Sequence, residues 1–125
     1  MKMQVFANQQ FAESIQKLME VKGLPIKASY KISKIHKVIV AEAEKFDEMR
    51  RTIVKKHAKT KEDGSMDVDE NGNVSIPQDN IDALNADMKD LFEIEFTVDT
   101  VSISELGDAK ITPKMFGLLT DILVD

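Results

Sequence analysis

From Ile26 to Lys59 the chain contains neither glycine nor proline, so nothing in that stretch forces a turn. Ile32, Ile35, Ile39, Phe46, Met49 and Ile53 recur there in steps of three and four, the repeat of a coiled-coil seam. Glu42 fills one seam position with a carboxylate. Tyr30, Val38, Ala41 and Val54 widen the apolar arc beyond a two-stranded seam. At a rise of about 1.5 Å per residue the segment makes a rod of about 50 Å. A compact chain of 125 residues is narrower than that. The rod is therefore an axis along which everything else must pack.

The flanking segments have the lengths to do so. Asn8 can cap a helix over Gln9–Lys22 whose apolar residues are Phe11, Ile15, Leu18 and Met19. Gly23 and Pro25 end it. Ile81, Leu84, Met88 and Leu91 predict a further helix over 78–92, capped by Ser75 or Asp79. Short connections favour both helices folding back antiparallel on the rod. Met1, Met3 and Val5 alternate with Lys2 and Gln4, as do Ile94, Phe96 and Val98 with Glu95 and Thr97. Residues 1–6 and 93–103 thus read as a strand pair. Over 66–76, a three-residue turn ending in a left-handed Gly72 sets Val68 opposite Val74 and Met66 opposite Ile76. A two-residue Asn71-Gly72 turn would split that apolar face. Thr112 and Pro113 open a last helix over 112–123, with Met115, Phe116, Leu118, Leu119, Ile122 and Leu123 on its apolar side. The expected fold is α+β in a single domain, 1–125, with a helical hairpin core over 9–92.

Charge is divided along the chain. Residues 1–62 carry a net charge of +7 and residues 63–125 carry −12. Two readings follow: the halves neutralise each other, or the basic half builds an anion-binding face. Lys27, Tyr30, Lys31 and Lys34 share one face of the rod, and Arg50, Arg51, Lys55, Lys56 and Lys59 crowd its far end. Against nucleic acid stand the acidic half and an overall pI of about 5.1. A confined anion pocket at an oligomer interface, as for a nucleotide, fits them slightly better, and a plain solvated helix face better than either.

Chemistry-bearing motifs are few. Asp67, Asp69, Asn71 and Ser75 fall at calcium-ligand positions 1, 3, 5 and 9 of a helix-loop-helix site. Position 12 is Gln78 rather than a bidentate glutamate, and Pro77 sits where the exit helix would run, so the hairpin explains the same residues better. His36 and His57 lie about 31 Å apart on one helix and cannot share a metal. Each is expected to be a surface or packing residue. Cysteine is absent, which removes disulfides, thiolate metal sites and cysteine nucleophiles. No nucleophile–histidine–acid order and no phosphate-cradling glycine loop is present, so no catalytic residue, resident metal or cofactor is expected. No segment is apolar enough to span a membrane or to act as a secretory signal, which sets the expectation of an intracellular protein.

The order of these segments carries a resemblance. Leu24-Pro25-Ile26-Lys27-Ala28-Ser29-Tyr30-Lys31-Ile32 opens the long helix, and Val68-Asp69-Glu70-Asn71-Gly72-Asn73-Val74 makes the hairpin. Leu91-Phe92-Glu93-Ile94-Glu95-Phe96 and Ile111-Thr112-Pro113 follow. From Leu24 to Val124 the chain resembles a family of small uncharacterised proteins of tailed bacteriophages and prophages. The resemblance implies a phage origin and a setting in the bacterial cytoplasm during infection, or in the virion, and no mechanism. The expectation is a non-enzymatic accessory protein that binds a phage or host protein. Inhibition of antiphage defence, including sequestration of a nucleotide signal, is the alternative. The wide arc of the rod further predicts a homo-oligomer, with the rod and the last helix at the interface and Glu42 meeting water or fixing its register.

Overall fold

The computed structural model describes residues 1–125. Four helices form: α1 (Gln9–Met19), α2 (Ile26–His57), α3 (Ile81–Glu93) and α4 (Pro113–Leu118). Two short strands, β1 (Val101–Ser102) and β2 (Leu123–Val124), pair in parallel. Helices with one small sheet make an α+β molecule. The rod is continuous: α2 runs 32 residues without interruption.

Local signals at helix starts act as their chemistry requires. The Asn8 side chain accepts from the Gln10 N–H at 3.0 Å, and Thr112 Oγ1 accepts from the Met115 N–H at 3.2 Å. Pro25 precedes α2, and its carbonyl accepts the Ser29 N–H. Gly107 stands at φ 60°, where a Cβ would lie 3.1 Å from Pro25 Cγ, so glycine lets this turn press against the start of α2.

Two cores line the rod. The larger holds Phe11, Ile15 and Leu18 of α1, Ile32, Ile35 and Ile39 of α2, and Val101, Leu106, Met115, Leu119, Ile122 and Leu123. The smaller holds Met3, Phe46 and Leu91. An aromatic chain joins them. Phe6 stacks on Phe96 at 5.5 Å and meets Phe46 at 5.7 Å and Phe11 at 6.5 Å, while Phe46 stacks on Phe92 at 6.0 Å. The Asn80 side chain donates to the His57 carbonyl, and Phe92 meets Phe46, so α3 runs back beside the second half of α2.

Several expected β elements are replaced. Residues 3–7 coil into a 3₁₀ turn that inserts Met3 and Phe6 between α2 and α3, leaving one antiparallel bridge, Lys2 to Glu95, where a strand pair was expected. Burial of Met3 and Phe6 outweighs the weak alternation of six residues. The only strand within 93–103 is β1, and its mate is the C-terminal segment rather than the N-terminal one. The last helix stops at Leu118 rather than at 123. Val101 N–H donates to the Ile122 carbonyl at 2.8 Å, and this pairing holds the last residues extended.

Over 66–76 the turn has the expected three residues. Gly72 has φ 81°, its N–H donates to the Asp69 carbonyl, and Val68 bridges Val74. No ladder extends from it, because Met66 bridges Thr60 rather than facing Ile76. Val68 is exposed, so little apolar burial supports a longer hairpin. A 3₁₀ turn over Gln78–Asn80 precedes α3, which starts at Ile81 with no side-chain cap, neither Ser75 nor Asp79.

Candidate functional site

The first two turns of α2 project from the larger core. Ala28 and Ile32 face inward and are buried, which fixes the opposite face outward. That outer face carries Ile26, 87% exposed, and Tyr30, 65% exposed. Lys27, Lys31 and Lys34 surround them, and Asp99 closes one side of a concavity of about 430 Å³. Lys34 Nζ lies 5.6 Å from the Tyr30 ring centroid, a cation–π distance. Lys31 is committed: its ammonium meets Glu105 Oε2 at 2.6 Å. That ammonium first, and the Ser102 N–H second, hold the Glu105 carboxyl below its ordinary range. Lys27 and Lys34 form no ion pair. The structure thus keeps Lys27, Tyr30, Lys31 and Lys34 together and leaves two of the three cations free.

The far basic cluster is different. Arg50 faces Asp47 at 3.7 Å, Lys56 faces Asp87 at 3.2 Å, and Lys59 faces Asp67 at 3.9 Å. Arg51 shares a shallow depression with Glu44, Asp47 and Glu48. Lys56 and Lys59 are thus neutralised by carboxylates of the acidic half and Arg50 by one of its own helix, while Arg51 and Lys55 form no ion pair. Glu42 is mostly covered and pairs with Lys45 at 3.3 Å on its own helix.

The calcium arrangement is not assembled. Asp69 Oδ1 accepts the N–H groups of Asn71 and Asn73, both at 2.9 Å, so its carboxylate closes the turn. Asp67 leans toward Lys59. No group of three or more metal-binding side chains converges anywhere in the molecule.

One arrangement escaped the sequence reading. His57, at the last turn of α2, is buried, and its Nε2 lies 2.6 Å from Asp87 Oδ2 on α3. The carboxylate accepts, so Nε2 carries a proton. His57 first and Lys56 second hold the Asp87 carboxyl below its ordinary range. A separation of 30 positions between His57 and Asp87 hides this pair from any local pattern. Beside it runs an apolar groove of about 370 Å³, with Met49, Ile53, Leu91 and Ile94 along it and Asp87 and Asp90 at its rim.

Most of the apolar side of α4 and of the residues after it faces inward. Met115, Leu119, Ile122 and Leu123 are buried within one subunit, while Phe116 and Leu118 are half-buried. No helix is long and apolar enough to cross a membrane. Compared with family models, curated proteins and solved structures, the chain matches none.

Proposed function

We propose that the protein is a non-enzymatic accessory protein that works by docking another protein on the exposed face of α2 at Ile26, Lys27, Tyr30 and Lys34. One observation carries this reading. A large aliphatic and an aromatic side chain stand in solvent on a rigid helix, flanked by unpaired lysines. Exposed aromatic and aliphatic anchors with a charged rim are what protein interfaces use. The phage resemblance supplies the setting: an infected bacterium, with a virion component or a host factor as partner. Co-purification of tagged protein from infected cells tests it. A partner retained by the wild type and lost from the folded Ile26→Asp/Tyr30→Asp variant is expected. Equal recovery by both overturns the reading.

A second reading has its own support in the volume of the concavity, which falls in the range of small-ligand pockets. There a nucleotide signal is sequestered with its phosphates on Lys27 and Lys34. A nucleotide-induced rise in melting temperature that disappears in Lys27→Glu/Lys31→Glu/Lys34→Glu is expected. A rise that survives the charge reversal places the ligand elsewhere.

A further inference from the structure

The exposed face at the start of α2 has a complement on the same molecule. The groove between α2 and α3 presents Met49 and Ile94, each more than a third exposed, beside half-buried Ile53. Its own cation is used, because Lys56 is paired with Asp87. Asp90 on the rim, and Glu93 three residues on, form no ion pair. On the first surface the free Lys27 and Lys34 outnumber the unpaired Asp99, so its apolar patch has a net positive rim, while the second is apolar with free carboxylates.

We propose that the Ile26–Lys34 face of one copy docks into the Met49–Ile94 groove of a second copy, head to tail. This rests on the reading of that face as a protein-docking surface, and it names the occupant as another molecule of this chain. Charge decides the geometry. A two-fold contact of face on face would bring Lys27 and Lys34 against themselves, and groove on groove would oppose Asp90 and Glu93. The unlike pairing sets the net positive rim of the face against the free carboxylates of the groove across an apolar centre. The two surfaces lie about 35 Å apart along one unbroken helix. A single copy can therefore use both at once, and each addition leaves a free face and a free groove. Such a contact grows into a ring or a filament rather than closing as a dimer.

Sedimentation velocity over rising protein concentration is the first measurement. The expected average mass climbs from the 14.1 kDa of one chain past that of two, and falls again as salt screens the rim charges. Complementation is the second. Ile26→Asp/Tyr30→Asp destroys the face and keeps the groove; Met49→Lys/Asp90→Lys does the reverse. All four positions are exposed, and circular dichroism checks that both variants fold. Each variant alone stays at the mass of one chain, and their equimolar mixture forms a one-to-one complex that grows no further. Wild type that remains at one chain, a mass that stops at two, association indifferent to salt, or a mixture that fails to associate overturns the proposal. If self-association fails while the face variant still loses its partner in infected cells, the docking surface stands and only its occupant is wrong.

Discussion

The first half of α2 and the second half meet their neighbours by different means. Ile32, Ile35 and Ile39 sink into a core of 12 buried residues drawn from α1, α2, α4 and both strands. Beyond Ile39 the only buried side chains of α2 are Phe46 and His57, and the core there has three buried members. Leu91, stacked phenylalanines and a histidine–carboxylate contact hold α3 with far fewer buried aliphatic side chains. Aliphatic burial is non-directional and cooperative, whereas the polar contact depends on geometry and protonation. The second half should open at lower free energy than the first, and hydrogen exchange resolves such local opening. The groove proposed to receive a second copy lies on this less buried half.

That contrast can be broken most strongly from the first side. Leu119 is fully buried, and Leu119→Ala is expected to cost about 2–5 kcal/mol, against a typical whole-domain stability of about 5–15 kcal/mol. Thermal unfolding should then be lost or become shallow across the whole chain. Phe92→Ala removes one stacked ring from the smaller core, and because Phe92 is only half-buried it should cost about 2 kcal/mol. Its amide exchange should rise in α3 and in residues 46–57 while α1 stays protected. Uniform loss of protection would show the two cores to be one cooperative unit. Asn8→Ala deletes a single cap of α1 and should cost about 1 kcal/mol without touching α3.

Asp87→Asn sharpens the comparison through pH. A carboxyl whose folded pKa is depressed contributes stability that is fully present above its unfolded value and is lost as pH falls through the folded one. Wild type should therefore melt higher than Asp87→Asn at neutral pH, and the gap should close below about pH 4, where the unfolded carboxyl protonates. A gap that persists in acid would show that the carboxylate charge is not what locks α3 to His57. The smallest effect is expected at Glu42, whose only partner is the exposed Lys45. Glu42→Leu should raise the melting temperature slightly by adding apolar surface to the seam. A fall would show that the carboxylate serves a purpose there.

How legible each region was follows the same divide. The unbroken α2, the Asn8 and Thr112 caps and the left-handed Gly72 could be read directly, because each is decided by a handful of neighbouring residues. The Lys27–Lys34 face could be read too, since helical spacing alone puts those side chains on one side. Commitment of Lys31 to Glu105, 74 residues away, could not. The strand pairing is illegible for a related reason. Six alternating residues specify an extended segment only weakly, and whether Met1–Phe6 pairs or coils depends on what cavity awaits Met3 and Phe6.

By itself the sequence determined the rod, its inward and outward faces, and the charge division between the two halves of the chain, all of which depend on short-range periodicity and covalent chemistry. Only the tertiary structure decided which charges neutralise one another, that the C-terminal segment leaves its helix to pair with Val101, and that His57 meets Asp87. Each of these joins residues far apart in the chain, and the energy that selects them appears only when the apolar faces have closed and excluded water.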